Sequence, residues 1–168
     1  MARRSFSEVD CGLAQAAQQV GDKWTLVILR NAFNGMTRFD EFAEHLGVAT
    51  NVLASRLDAL VNAQILRRRK LADDGRAVEY RLTPKGHELF VLIVFLSQWG
   101  DRWMGKRRGD RLGLLDRKTQ RPLRPVQVQD AEGEAVTARE TLYRIGRGGS
   151  DVMQRLQAIV ARRHAERS

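Results

Sequence analysis

Residues 37–61 read TRFDEFAEHLGVATNVLASRLDALV, and their periodicity decides the fold. Phe39, Phe42, Ala43 and Leu46 recur at i, i+3, i+4 and i+7, the spacing of one buried helix face, so a helix is expected over 37–46. Gly47-Val48 then makes a tight turn. Thr50 is the candidate N-cap of a second helix whose Leu53, Leu57, Leu60 and Val61 face inward. Two helices joined by a short glycine-containing turn form a helix-turn-helix.

Upstream, Leu13, Ala17 and Val20 have helical spacing, and Gly21-Asp22 interrupts it. Asp22 can cap a following helix that carries Trp24, Ile28 and Leu29 and ends at Asn34-Gly35. Downstream the period changes to that of two strands, 65–71 and 77–82, around a hairpin turn at Asp73-Asp74-Gly75-Arg76. Thr83-Pro84 opens another helix, expected to run to about Trp103, with proline suited to the first helical position. Its stretch 89–96 is apolar all round, which means burial on every side. In a small domain the second covering surface is often another subunit. Beyond 105 the chain turns polar and basic. Residues 122–140 have room for short strands around Glu132-Gly133, Gly146-Arg147-Gly148-Gly149 makes a joint, and Ser150 caps a last amphipathic helix with Val152, Leu156, Ile159 and Val160. The expected class is α+β, mainly α: a winged helix-turn-helix with dimerisation helices in 1–104, and a hairpin/helix extension in 105–168.

Of the 168 residues 43% are hydrophobic, which supports a packed core and argues against wholesale disorder. The 29 Lys and Arg exceed the 20 Asp and Glu, for a formal charge of +9. A field of that sign draws polyanions: nucleic acid first, an anionic membrane surface second. The longest apolar stretch, 89–96, is far short of the roughly 20 residues that span a bilayer. Residues 1–7 lack the apolar run of a secretory signal. No membrane partner is therefore expected. One cysteine, Cys11, excludes an internal disulfide and fits a reducing cytoplasm. There is no Gly-rich phosphate loop, and His45, His87 and His164 lie far apart in helical stretches, so an enzyme is not expected.

At residue level the chain resembles the HxlR-type regulators, a branch of the MarR-like winged-helix proteins. GDKWTLVIL at 21–29 is similar to the family's opening motif, and TRFDEF at 37–42 to its RFxEL-like helix. LASRLDAL at 53–60 is similar to the recognition helix, and VEYRLTPKG at 78–86 to the end of the wing and the start of the next helix. SQWG at 97–100 fits the end of the dimer helix, and the likeness covers about residues 8–104. Gln64 departs from the Gly usual after the recognition helix, which alters a C-cap and leaves the fold. The resemblance implies a homodimeric regulator of transcription on double-stranded DNA, more often a repressor, paired through the first helix and the 88–103 helix. An effector is left open. Longer members carry a C-terminal ribbon of the form CGH…PvxvCxxCGepl. PVQVQDAEGEAVT at 125–137 looks like it with Gln129 and Glu132 at the cysteine positions. Zinc needs thiolate or imidazole ligands, usually four, so no metal or other cofactor is expected.

In such a fold the recognition helix enters the major groove with its N-terminal residues nearest the bases. Thr50, Asn51, Ser55 and Arg56 are then the outward candidates. Asn pairs bidentately with adenine and Arg with guanine. Thr50 can instead act only as a cap, and Arg56 can instead hold a phosphate or brace the fold. Arg38 opens the preceding helix, where a cation opposes the dipole and a phosphate would explain it, a solvated side chain being the alternative. Residues 67–85 hold seven basic against three acidic residues, a local +4, and Arg76 at the wing tip is the candidate contact there. Strand alternation sends Arg67 and Arg69 to one face and Arg68 and Lys70 to the other. Leu89, Leu92, Ile93, Leu96 and Trp99 are the candidate dimer residues. Several HxlR-type proteins are thiol sensors with an N-terminal cysteine, which makes Cys11 a redox candidate. A small, inert, partly buried residue is the plainer reading. The rival function is a winged-helix module for RNA or protein contact without sequence-specific DNA reading.

Overall fold

The computed structural model describes residues 11–70, 78–104, 113–141, 144 and 151–165. They fall into two compact units, one of Lys23–Val126 and one made by the chain up to Asp22 together with that from Gln127. In chain order the elements are α1 (Gly12–Val20), α2 (Lys23–Phe33), α3 (Phe39–Leu46), α4 (Thr50–Asn62), β1 (Leu66–Lys70), β2 (Val78–Leu82), α5 (Pro84–His87), α6 (Phe90–Met104) and α7 (Asp151–Ala165). The fold is mainly helical, with one two-stranded antiparallel sheet among the described residues, as the sequence implies for a winged helix-turn-helix.

The core of the Lys23–Val126 unit is drawn from each element around the turn. Ile28 and Leu29 of α2, Phe42 of α3, Leu53, Leu57 and Leu60 of α4, and Ile65 and Leu66 at the start of the wing are all fully buried. Each such side chain contributes about 1.5–3 kcal/mol relative to leaving it in water. Val61, expected among them, is only half-buried. Helix α3 begins two residues later than its periodicity suggests, because Thr37 and Arg38 belong to the sheet edge. The Thr37 carbonyl accepts the Tyr80 N–H at 2.7 Å, and Arg38 bridges Glu79 in antiparallel fashion. Glu41 then accepts the N–H groups of Thr37 and Arg38 at 2.8 and 2.9 Å, which closes the helix start.

Thr50 is not the N-cap of α4. That position is Ala49, which offers no side-chain bond, and Thr50 is the first helical residue. The Ala49 carbonyl accepts both Val52 and Leu53 N–H at 3.0 Å, and Asn51 Oδ1 accepts Val52 N–H at 2.9 Å. At the other end Gln64 takes the left-handed conformation, φ 57°. Gln64 N–H donates to the Val61 carbonyl and Ile65 N–H to the Leu60 carbonyl, both at 2.9 Å. This is a Schellman motif with glutamine in the place glycine favours. The departure seen in the sequence thus costs backbone strain and keeps the chain path.

Strand β1 pairs with β2 in the register Leu66↔Leu82, Arg67↔Arg81, Arg68↔Tyr80, Arg69↔Glu79 and Lys70↔Val78. Leu71 and Ala77, the expected strand ends, lie outside the described residues. The return from the wing locks onto the end of α4. Thr83 Oγ1 donates to the Gln64 carbonyl at 2.6 Å and accepts Gly86 N–H at 3.0 Å, while Lys85 Nζ donates to the Ala63 carbonyl at 2.8 Å. This docking breaks the single helix expected from 84 to 103. A Cβ at Gly86 would stand 2.2 Å from the Ile65 carbonyl oxygen, so only glycine admits the contact. Leu89 N–H turns to the Gly86 carbonyl at 3.2 Å, the tighter i→i+3 pattern, and α6 starts afresh at Phe90. After α6 the chain returns along it: Gln98 donates to the Arg124 carbonyl at 3.0 Å and accepts Val126 N–H at 2.8 Å.

In the second unit α1 contains the expected Leu13, Ala17 and Val20 and has Cys11 as its N-cap residue. The ribbon-like segment retains one bridge, Gln129↔Ala135, around a turn in which Gly133 has φ 87°. Asp130 Oδ1 accepts the N–H groups of Glu132 and Glu134 at 3.1 and 2.8 Å. The Asp130 carboxylate pins this turn between Gln129 and Glu132, the positions at which the resemblance would put cysteines. The last helix, α7, starts at Asp151; Ser150 and the Gly146–Gly149 joint lie outside the described residues.

Candidate nucleic-acid interface

Helix α4 buries one stripe and exposes another. With Leu53, Leu57 and Leu60 inward, the residues at Asn51, Ser55, Asp58, Ala59 and Asn62 are exposed. Asn51 and Ser55 therefore stand where the sequence places them, and Thr50 is exposed at the helix start. Asn51 already has its Oδ1 on the Val52 N–H, so a bidentate bond to a base requires it to release that contact. Arg56 does not face outward with them. It is half-buried on the flank of the helix and its Nε is shielded from solvent. The reason is geometric: position 56 lies only about 60–70° around the helix from the centre of the buried stripe, at roughly 100° per residue. Asp58, Ala59 and Asn62 are exposed members of the outward face that the choice of polar N-terminal residues passed over. The i+3/i+4 continuation from Asn51 and Ser55 marks them.

The wing divides its cations between two faces. Directly opposed residues share a face, so Leu66, Arg68, Lys70, Val78, Tyr80 and Leu82 form one side and Arg67, Arg81, Arg69 and Glu79 the other. Leu66 and Tyr80 are buried, which makes the first side the inner one. On the outer side Arg67 stands opposite Arg81, and Arg81 Nε bonds Glu79 Oε2 at 2.7 Å. Like charges directly opposite destabilise a hairpin, and an anion laid across them would relieve that. The Arg81 bond holds the Glu79 carboxyl below its ordinary value, helped by the charges of Arg69 and Arg38. Arg38 itself bonds Asp40 at 3.2 Å and likewise lowers that carboxyl. Arg38, Arg69 and Arg81 thus gather around Glu79 beside the helix-turn-helix. Arg67, Arg69 and Arg81 are the wing residues the sequence could not rank. Lys85, counted with them by composition, caps α4 instead, where a cation meets the negative end of the helix dipole. Arg76 lies outside the described residues.

The chain leaves an apolar face on α6 uncovered. Ile93 and Val94 are buried, whereas Phe95 is 46% and Trp99 44% exposed, with Phe90, Val91, Leu92 and Leu96 exposed beside them. Of the dimer candidates, Leu92, Leu96 and Trp99 lie on this face and Leu89 is half-buried. Ile93, at 6% exposure, packs within the chain. Cys11 is half-exposed. Among the described residues no group of three His, Cys, Asp or Glu is placed to hold a metal, and no helix is long and apolar enough to cross a membrane.

The chain is similar to known proteins in sequence and in fold. Residues 19–108 match the family model of the HxlR-like helix-turn-helix. The chain belongs to that family. The HTH-type transcriptional regulator Rv3095 of Mycobacterium tuberculosis, itself uncharacterized, is 37% identical over 136 residues, which is 81% of this chain and 86% of that protein. The crystal structure of PA1607, a candidate transcription factor, is 35% identical with a TM-score of 0.78 over 86% of this chain and 99% of that one. The reduced form of the transcriptional regulator YodB from B. subtilis is 27% identical, with a TM-score of 0.50 over 58% of this chain and 98% of that one. This member of the HxlR-like family is accordingly a transcriptional regulator with a helix-turn-helix domain.

Proposed function

We propose that this regulator binds double-stranded DNA in a sequence-specific manner as a homodimer and acts as a repressor by occupying promoter DNA. The observation that carries the reading is the pairing of the polar residues Asn51 and Ser55 on the outward stripe with the arginine face of Arg67, Arg69 and Arg81. The first is suited to base edges and the second to phosphates. Arg38, adjoining Glu79 at the sheet edge, adds a phosphate contact. Thr50, exposed at the helix start, and Arg56, on the flank, add contacts beside the stripe, and Arg76, outside the described residues, is a further proposed contact. The uncovered face of α6 supports the dimer, because contiguous exposed apolar surface of that kind marks a protein contact. Two recognition helices about one DNA turn apart then read a pseudo-palindrome. On this reading residues 1–104 form the binding and dimerisation domain and 105–168 an extension, in a cytoplasmic protein.

Competition on the duplex upstream of its own gene tests the proposal. At physiological salt that duplex should displace the bound probe at far lower concentration than a scrambled one. Equal competition would leave only the charge-driven binding common to basic proteins. The half-exposed thiol of Cys11 adds a redox-responsive form, by a bond between subunits or a mixed adduct. Cys11→Ser should then abolish any diamide response of DNA binding, and an unchanged response removes Cys11 from the account.

A further inference from the structure

The outward stripe of α4 contains one feature ill-suited to DNA. Asp58 lies between Ser55 and Asn62 on the face offered to the groove, where a bare carboxylate repels phosphate and lowers the local positive field. The structure answers that charge from the wing. Arg68 Nη2 bonds Asp58 Oδ1, forming an ion pair between β1 and the recognition helix. The same guanidinium lies over the ring of Tyr80, its register partner, 5.7 Å from the centroid. Tyr80 is buried and held to Thr37 through its own N–H, so the ring is a fixed platform. Stacking and ion pairing on one side chain call for arginine, whose planar group does both. The two partners stay about half exposed, 49% for Arg68 and 53% for Asp58, so the pair is part of the surface that meets the ligand.

We propose that Arg68 is a positioning residue: it neutralises Asp58 on the recognition face and ties the wing to α4, so that DNA affinity depends on the pair and not on Arg68 as a phosphate contact. This rests on the DNA-binding reading above. It distinguishes Arg68 from Arg67 and Arg69, which lie on the other face of the same strand.

The test is a set of affinities for the upstream duplex and a scrambled duplex, by fluorescence anisotropy at two salt concentrations, with wild type, Arg68→Met, Asp58→Asn, the double variant and Arg68→Lys. Arg68→Met keeps an apolar stem over Tyr80 and uncovers Asp58; it should weaken binding by about tenfold, the effect of one uncompensated like charge facing the ligand. Asp58→Asn should bind at least as tightly as wild type. The double variant should recover to within about fivefold of wild type, the size of an exposed ion pair, and Arg68→Lys, which keeps the charge, should fall in the same range. A double variant as weak as Arg68→Met overturns the proposal, because Arg68 would then touch DNA or merely brace the fold. So does an Arg68→Met protein that is folded by circular dichroism and binds like wild type. Failure of wild type to prefer the upstream duplex is a different result. It sinks the DNA reading itself, and this proposal with it.

Discussion

Helices α4 and α6 put apolar residues to opposite use. In α4 the leucines at 53, 57 and 60 are buried and what remains outside is Asn51, Ser55, Asp58 and Asn62. In α6 only Ile93 and Val94 are buried, and the outside is Phe90, Val91, Phe95, Leu96 and Trp99. The first helix is complete within one chain, and its free face suits water or a polar ligand. The second is left half-covered, and contiguous exposed apolar surface of that kind marks an interaction site. On the proposed function, the contrast assigns two jobs, reading DNA and joining subunits, to two helices.

The strongest way to break that contrast is to change one apolar group on each helix, a buried one on α4 and an exposed one on α6. Leu57→Ala should destabilise the protein by about 2–5 kcal/mol in urea melts, whatever the protein concentration. Phe95→Asp should instead leave helical content in place and shift the protein to monomer at micromolar concentration in light scattering. A stable wild-type monomer under those conditions, or a Phe95→Asp protein that is simply unfolded, would return α6 to the interior of the chain. Within the DNA face, Asn51→Ala should cut discrimination between matched and mismatched sites by about 1–3 kcal/mol. Arg67→Ala should weaken all duplexes alike and reduce the salt slope by about one. If the two variants behave alike, stripe and wing are not divided as described. A smaller effect, of opposite sign, comes from the helix end. Gln64→Gly should stabilise the protein by about 1 kcal/mol, since a non-glycine residue in the left-handed region carries about 1–2 kcal/mol of strain.

The smallest effect is on pH. The folded Glu79 carboxyl lies below its ordinary 4.5, first through the Arg81 bond. A depressed carboxylate contributes stability that is complete above the unfolded value and fades as pH falls through the folded one. Glu79→Gln should therefore lower stability slightly at neutral pH, where that contribution is complete, and flatten the acid limb so that variant and wild type converge as pH falls below 4.5 and through the folded value. An identical acid limb in the variant would show that the pair adds nothing.

Much of this was legible in the sequence where a single period governed. The leucines of α4, the glycine turn at 47 and the wing hairpin follow from spacing alone, and the ordered motifs from Lys23 to Gly100 carried the family. What failed to show depended on local bonding choices that periodicity does not rank, or on partners distant in sequence. Ala49 rather than Thr50 caps α4, because backbone carbonyls and Asn51 take the first N–H groups. The helix expected from 84 to 103 breaks because Gly86 packs on the Ile65 carbonyl, 21 residues away in the chain. The division of the arginines was visible as alternation, but which face was free required Tyr80 and Asp58 to claim Arg68. Arg56 is a different case: its flank position follows from its spacing to Leu53, Leu57 and Leu60, and only its polarity and place near the N-terminus suggested an outward one.

The most direct test of the central claim is a hydroxyl-radical footprint of the protein on its own upstream region at physiological salt. Two subunits reading through α4 predict two protected patches on one face of the duplex, centred about one helical turn, roughly 34–36 Å, apart. Protection should be lost from both patches together in Phe95→Asp. A single patch unaffected by that substitution, or even protection along the whole fragment, would contradict the account.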